Sequence, residues 1–327
     1  MAGMVHQDGI PPALEIRGLS KSYRHGLLQR RGPPVLRDVT LTAPQGEIFG
    51  YLGPNGSGKT TTLKIVFGLL SADTGTIRVL GRAHDDRSWR SRVGFLPEQP
   101  YFYDYLTAWE TLDYVGRLLG VPADLRRRRG EALLEQVGLA RWMKTPLRRF
   151  SKGMVQRFGI AQALIGDPEL VFLDEPMSGL DPIGRRQVRN LILDLKGRRK
   201  TVFFSTHILS DAETLCDSVA LLRAGELLKV GRLDEILRLD VSHMEVLLSG
   251  LGETALSALP VGVVGRHALG ERWRLEVAEA SLGAIVGAVE AAGGRILSVQ
   301  PVRQSLEEYF FKEMGMIPGQ VAWTVDA

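Results

Sequence analysis

The run Gly53-Pro54-Asn55-Gly56-Ser57-Gly58-Lys59-Thr60 constrains this chain more than any other stretch, because it fits the spacing G-x-x-x-x-G-K-[ST]. An apolar, strand-like segment, Glu47-Ile48-Phe49-Gly50-Tyr51-Leu52, precedes it, and Thr61 to Phe67 can continue as a helix. That strand–loop–helix context is what such a loop needs. Glycines let the backbone wrap closely round a polyanion, so that successive N–H groups point at phosphate oxygens. The helix starting near Gly58 adds the positive end of its dipole. Lys59 supplies a point charge for the β- and γ-phosphates, and the Thr60 hydroxyl can ligate Mg²⁺. These residues predict a nucleoside triphosphate site.

At 327 residues the chain is too long for one ordinary core, and about two domains are expected. An apolar fraction of 44% and a charged fraction of 24% are those of a soluble globular protein. No run reaches the roughly 18 uninterrupted apolar residues of a membrane-spanning helix. Met1 to Asp8 has neither a basic start nor an apolar segment, so no secretory signal is expected. The single cysteine, Cys216, excludes an internal disulfide, suits a reducing cytoplasm and reads as a buried, inert thiol. A net charge of +4 says little about partners. The basic clusters are Arg126-Arg127-Arg128-Arg129 and Arg198-Arg199-Lys200. The first reads as a solvated helix face, or as a surface for anionic lipid or nucleic acid.

A β-rich opening runs from Ala13 to about Gly53, with alternating strands at Leu14–Leu19 and Val39–Ala43. Between them, the Gly/Pro/Arg-rich stretch His25 to Pro34 reads as a surface loop. A strand at Thr76–Leu80 follows the phosphate-loop helix. From Thr107 to Gln162 the pattern is helical, opening with a capping box at Thr107 and Glu110. Leu170–Leu173 and Thr201–Phe204 look like buried parallel strands, with a helix at Ile183–Leu195 between them. Val219–Leu222 and Leu227–Val230 complete the first domain. Beyond Val241, short strands at His243–Leu248, Val261–Arg266, Arg272–Val277 and Arg295–Val299 alternate with small-residue helices such as Leu282–Ala292. This order predicts a small α+β domain of ferredoxin-like type. A last helix, Ser305–Glu313, opens with a second capping box, Ser305 and Glu308.

After Leu173 come Asp174-Glu175-Pro176. Two carboxylates at the C-terminal end of a buried parallel strand are costly unless they serve an ion or a reaction. Asp174 can hold Mg²⁺ through water, and Glu175 can polarise an attacking water.

With these pieces the chain resembles the ATPase subunit of an ATP-binding cassette (ABC) transporter, over residues from about Leu14 to Gly231. Phe150-Ser151-Lys152-Gly153-Met154-Val155-Gln156-Arg157 resembles the signature sequence, with Phe150, Lys152 and Met154 departing from its commonest form. Ser178-Gly179-Leu180-Asp181 resembles the loop that crosses between paired subunits, and Ser205-Thr206-His207 resembles the histidine switch. Tyr23 matches the aromatic residue that stacks on adenine, though an aromatic beside a strand can equally be core. In Gly94-Phe95-Leu96-Pro97-Glu98-Gln99-Pro100 the position of the family's metal-contacting glutamine holds Glu98, with Gln99 next, and either can serve. The aromatic stretch Tyr101 to Leu106 reads as a groove for a membrane partner's short helix or as core.

The resemblance implies a P-loop α/β fold with an antiparallel β subdomain and a helical subdomain, plus the small C-terminal α+β domain. The implied domains are 12–238 for the nucleotide-binding domain (helical part about 100–165), 241–315 for a ferredoxin-like accessory domain, and 316–327 for a tail. It implies ATP and Mg²⁺ as cofactors. Glu175 and His207 are the implied catalytic residues, and Tyr23, Gly53 to Thr61, Ser151, Gly153 and Asp181 the nucleotide contacts. Thr60, Asp174 and Glu98 or Gln99 are the implied metal ligands. The resemblance also implies that two copies pair head to tail, because in the family geometry one chain cannot bring its own signature helix onto its own phosphate loop. The expected function is export through a separate integral membrane permease. The expected place is the cytoplasmic side, peripheral on the inner face of the cell membrane, with no nucleic acid bound. The competing readings are a soluble cassette ATPase acting on ribosomes or DNA, and a non-catalytic nucleotide-gated module. Two fused cassettes or a long heptad run would mark the former, and this chain has neither. Intact Lys59, Asp174, Glu175 and His207 speak against the latter.

Overall fold

The computed structural model describes residues 10–25, 30–237, 241–303 and 305–313. The expected tail, 316–327, lies outside the described residues. The chain divides into two compact units, with the boundary between Leu233 and Asp234. In order, the first unit runs β1 (Leu14–His25), β2 (Arg30–Ala43), β3 (Ile48–Leu52), α1 (Lys59–Val66), β4 (Thr74–Val79), β5 (Arg82–Ala83) and β6 (Val93–Leu96). It continues with α2 (Ala108–Leu118), α3 (Ala123–Gln136), α4 (Lys152–Leu164), β7 (Leu170–Asp174) and α5 (Pro182–Gly197). Then come β8 (Thr201–Thr206), α6 (Leu209–Leu215), β9 (Ser218–Arg223) and β10 (Glu226–Arg232), and the one-turn helix α7 (Leu233–Ile236) spans the boundary.

The central sheet has the order β10-β9-β3-β8-β7-β6, parallel throughout except for the antiparallel edge strand β10. Every residue of β3, β7 and β8 is buried, which is why these strands read as unbroken apolar runs instead of alternating. Phe203 lies at the centre, its ring 5.3 Å from Phe49, 5.6 Å from Tyr51 and 5.2 Å from Phe172. This core is shared with an antiparallel sheet, β2-β1-β4-β5, and with α1, through Leu14, Ile16, Leu63 and Val66.

The stretch His25 to Pro34 differs from the expected loop. β1 extends to His25 and β2 starts at Arg30, with Ser22 opposite Pro34 and Arg24 opposite Arg31; the tip, 26–29, lies outside the described residues. Long-range pairing overrides the local Gly/Pro signal here. Pro34 is tolerated because β2 is the edge of its sheet, where a missing N–H costs no ladder bond.

In the helical segment, Thr107 caps α2 and Glu110 reaches back to the Thr107 N–H at 2.8 Å. The arginine run of α3 is neutralised side chain by side chain. Arg126 pairs with Asp113, Arg127 with Glu131, Arg128 with Asp124 and Arg129 with Asp167.

The second unit holds β11 (Val241–Ser249), α8 (Glu253–Ser257), β12 (Val263–Leu269), β13 (Arg272–Val277), α9 (Leu282–Ala291), β14 (Arg295–Arg303) and α10 (Leu306–Glu313). Its sheet is antiparallel in the order β12-β13-β11-β14, a split βαβ arrangement. Val246, Leu248, Leu275 and Val277 of the sheet and Ile285 and Val289 of α9 form a core of its own. Ser305 and Glu308 exchange both bonds of a capping box at the start of α10.

Candidate functional site

Parallel pairing sets Leu52 beside Thr206 and Asp174 beside Ser205, so the segments leaving β3, β7 and β8 emerge at one edge of the sheet. In open α/β sheets this carboxyl edge is where ligands bind. The loop after β3 is held tightly. The Gly53 N–H donates to the Thr206 carbonyl, and a Cβ at Gly53 would lie 2.2 Å from the Leu222 carbonyl oxygen, so no other residue fits. Gly58, at φ +110°, occupies a conformation open to glycine and starts α1 at Lys59. Asn55 and Gly56 are exposed at the tip, Pro54, Thr60 and Thr61 are half-buried, and the buried Ser57 hydroxyl has no hydrogen-bond partner among the described residues.

Lys59, Glu175 and His207 meet directly. The Lys59 Nζ donates to the carbonyls of Gly53 at 2.7 Å and Pro54 at 3.2 Å, and stands 3.4 Å from Glu175 Oε1. Both side chains of that ion pair are buried, and among the described residues Glu175 Oε1 accepts no hydrogen bond. Glu175 Oε2 lies 3.0 Å from His207 Nδ1. That hydrogen bond raises the His207 imidazole above its ordinary value; burial opposes it, the charge of Glu175 adds to it, and Lys59 and Arg185 act against it. Glu175 has φ +49°, a conformation that a side-chain-bearing residue keeps only where its surroundings force it, and such outliers gather at functional sites.

Asp174 is 1% exposed and accepts a short hydrogen bond from the Ser205 hydroxyl. Burial pushes its carboxyl above the usual range; hydrogen bonds from Ser205 and Thr60 work against this, while the charges of Glu98 and Glu175 reinforce it. Thr60, Asp174 and Glu98 therefore share one electrostatic neighbourhood, and Glu98 and Gln99 themselves are exposed. The donor set, a hydroxyl and carboxylates, suits a hard cation. Among the described residues no cluster of three or more His, Cys, Asp or Glu could cage a metal alone.

The remaining residues form separate groups. Ser151 caps α4, its hydroxyl accepting from the Met154 N–H, and Asp181 caps α5, accepting from the Gly184 N–H at 2.7 Å. The two caps are neighbours, since a Cβ on Gly153 would lie 3.4 Å from Leu180. Among the described residues, no hydrogen bond or ion pair links Ser151, Gly153 or Asp181 to Lys59, Asp174, Glu175 or His207. Tyr23 of β1 meets the Thr61 hydroxyl at 3.3 Å, beside the start of α1. In the aromatic stretch, Tyr101 (90% exposed), Tyr103 and Tyr105 face solvent and Phe102 packs on Phe158. Tyr114 of α2 joins them, 6.2 Å from Tyr103.

Two functional neighbours lie inside the signature and histidine-switch motifs, but sequence alone assigned them no role of their own. Ser205 bonds both Asp174 and the Glu175 N–H, and the buried Gln156 of α4 donates to the Glu175 carbonyl at 3.2 Å. The available signal was a polar residue on an otherwise buried surface, Ser205 ending an apolar strand and Gln156 inside a packed helix.

A family model described as ABC transporter matches residues 36–178. An uncharacterized ABC transporter ATP-binding protein of Synechocystis sp. is 46% identical over 298 residues, spanning 90% of this chain and 83% of that protein. The fluoroquinolones export ATP-binding protein of Mycobacterium tuberculosis is 40% identical over 215 residues, 65% of this chain and 68% of its own length. Among solved structures, a dimeric post-hydrolysis state of an ATP-binding cassette bound to ADP and Pi superposes with a TM-score of 0.61 at 26% identity, covering 67% of this chain and 98% of that one.

Proposed function

The chain belongs to the ABC transporter ATP-binding family and is an ATPase, and from that premise we propose that it drives export through a separate integral membrane permease. In this reading two copies close head to tail around ATP. The observation that carries it is the division of the site. Lys59, Asp174, Glu175 and His207 converge at one sheet edge, while Ser151 and Gly153, at an exposed helix start suited to phosphate, make no bond to them. A second copy completes the site by presenting its α4 start to the first copy's phosphate loop. The dimeric cassette with ADP and Pi supports that assembly, and the Mycobacterium tuberculosis relative supports export.

The residues divide the work as follows. Loop N–H groups from Gly53 to Thr61 and the α1 start hold the triphosphate, and Tyr23 stacks on adenine. Lys59 exchanges its bonds to the Gly53 and Pro54 carbonyls for γ-phosphate oxygens. Thr60 and Asp174, with Glu98 or Gln99 beside them, would hold Mg²⁺, which when bound would offset the charge on the β- and γ-phosphates. Glu175 takes a proton from the attacking water as that water's oxygen bonds to the γ-phosphorus and the β–γ bridging oxygen leaves with ADP. His207 fixes the Glu175 carboxylate and reaches the γ-phosphate. Asp181 lines the junction between the two copies.

Residues 12–238 act as the nucleotide-binding domain, with 100–165 as its helical part, and 241–315 as an accessory domain. The exposed tyrosines 101, 103, 105 and 114 receive a short helix of the permease, so the chain sits on the inner face of the membrane. Among the described residues no helix is long and apolar enough to cross a membrane. The paired arginines of α3 leave little charge for nucleic acid.

Glu175→Gln tests the chemistry. ATP binding is expected to persist, hydrolysis to fall by about 10²- to 10⁴-fold, and ATP to shift the protein to a dimer in size-exclusion chromatography. Unaltered hydrolysis would remove Glu175 from the role of base, and a protein that stays monomeric with ATP would remove the head-to-tail assembly. Purification from detergent-solubilised membranes checks the partner: a multi-span protein supports the permease, ribosomes alone refute it.

A further inference from the structure

On the first unit, α3, α4 and α5 border a cavity of about 190 Å³ that takes no part in the nucleotide site. Leu133, Leu164, Pro168 and Leu195 make its walls apolar. Three cations stand on its lining: Arg129 of α3, and Arg198 and Lys200 in the connection from α5 to β8. The one carboxylate of the lining, Asp167, is shared by two of them, at 3.3 Å from Arg129 and 2.7 Å from Lys200. Arg198 is held by Asp194, which is not part of the lining. The lining therefore carries three cations against one anion, around a floor that favours carbon.

We propose that this cavity is an effector site for a small amphipathic carboxylate, the apolar body lying on Leu133, Leu164 and Leu195 and the carboxylate among Arg129, Arg198 and Lys200. The size fits, since an apolar cavity of about 150 Å³ accepts a benzene ring. Charge and walls exclude the simpler alternatives. A purely inorganic anion leaves the apolar walls unused, and a neutral apolar guest gains nothing from Arg129 and Lys200, which share the single carboxylate of Asp167.

The position gives such a ligand leverage. α4 runs from the Ser151 cap to Leu164, and α5 from the Asp181 cap to Gly197, with Leu195 on the lining. β7 leaves Pro168 and ends at Asp174, and β8 leaves Lys200 and ends beside His207. These four elements, each of which carries or leads to nucleotide-site residues at one end, thus have their opposite ends at this cavity, about 20 Å away along α4. A ligand drawing Arg129 toward Lys200 ties α3 to the entry of β8 and biases all four together.

The test titrates the full, nucleotide-free chain with benzoate, octanoate, benzyl alcohol and inorganic phosphate by calorimetry. Benzoate or octanoate is expected to saturate, with benzyl alcohol and phosphate weaker by about tenfold or more. Arg198→Ala/Lys200→Ala, and independently Leu133→Trp, which fills the cavity, should each weaken benzoate by about tenfold while leaving ATP binding intact. No saturable carboxylate binding, phosphate or benzyl alcohol binding as well as benzoate, or indifference to both variants would overturn the site. Saturating benzoate should also shift ATP affinity by about fivefold, and ATP should shift benzoate affinity by the same factor. Binding without that reciprocal shift would overturn the effector role.

Discussion

Asp174 ends a fully buried strand, and its ionised form must be kept there by two hydroxyls, from Ser205 and Thr60, in the absence of a cation. Burial raises its carboxyl above the ordinary 3.8, so protonation stabilises the fold below that value and the contribution is lost as pH rises through the folded value. At neutral pH the charged group is therefore a burden on the fold. Asp174→Asn, which keeps an acceptor oxygen, should raise the melting temperature without nucleotide at pH 7, by less as pH approaches 3.8, while abolishing Mg²⁺-dependent hydrolysis. A lower melting temperature in scanning fluorimetry would refute this. His207 is raised from its ordinary 6.5 by Glu175, so the paired imidazolium stabilises below 6.5 and that support is lost as pH rises through the folded value. His207→Gln is expected to melt below the parent at about pH 6 and to match it at about pH 9. The shift should be small, since the side chain is 35% exposed. Equal melting temperatures at both values would show that the pair adds nothing. Lys59, Asp174 and Glu175 were legible from the sequence because their chemistry is tied to fixed spacing. The roles of Ser205 and Gln156 were not, because they depend on which strand and helix lie beside Glu175.

Elements were readable where their own residues carry the signal. The capping box before α2 and the one before α10 need only four consecutive residues. The buried strands β7 and β8 announce themselves by unbroken apolar runs. The hairpin of β1 and β2 was hidden because pairing, not local propensity, carries the strands through Pro34 and up to Arg30. The arginine run was visible as charge but not as structure: Arg126 finds Asp113 and Arg129 finds Asp167, partners 13 and 38 residues distant. α2 deserves a direct measurement because it carries Tyr114 and follows the exposed tyrosines. Thr107→Ala removes the side chain that caps the Glu110 N–H and leaves the Glu110 carboxylate without its hydroxyl partner. The expected loss is about 1 kcal/mol, read as a lower denaturant midpoint at unchanged slope. An unchanged midpoint would mean that tertiary packing alone fixes the start of α2.

At the scale of the whole chain, two cores matter more than one sheet. Phe49, Phe172 and Phe203 anchor the first unit, and Val246, Leu275 and Ile285 anchor the second. Every residue assigned here to nucleotide or metal lies in the first unit, before Leu233. A ligand stabilises only the cooperative unit whose folded state it binds, by about 2.7 kcal/mol at a hundred times its dissociation constant. Two independent cores should therefore unfold in two calorimetric transitions, with Mg²⁺-ATP raising one and leaving the other in place. Asp174→Asn should remove the shift in the first transition without moving the second. A single transition that moves as a whole with ATP would show that the units unfold cooperatively. In that case the second unit has to be counted as part of the machinery that senses nucleotide.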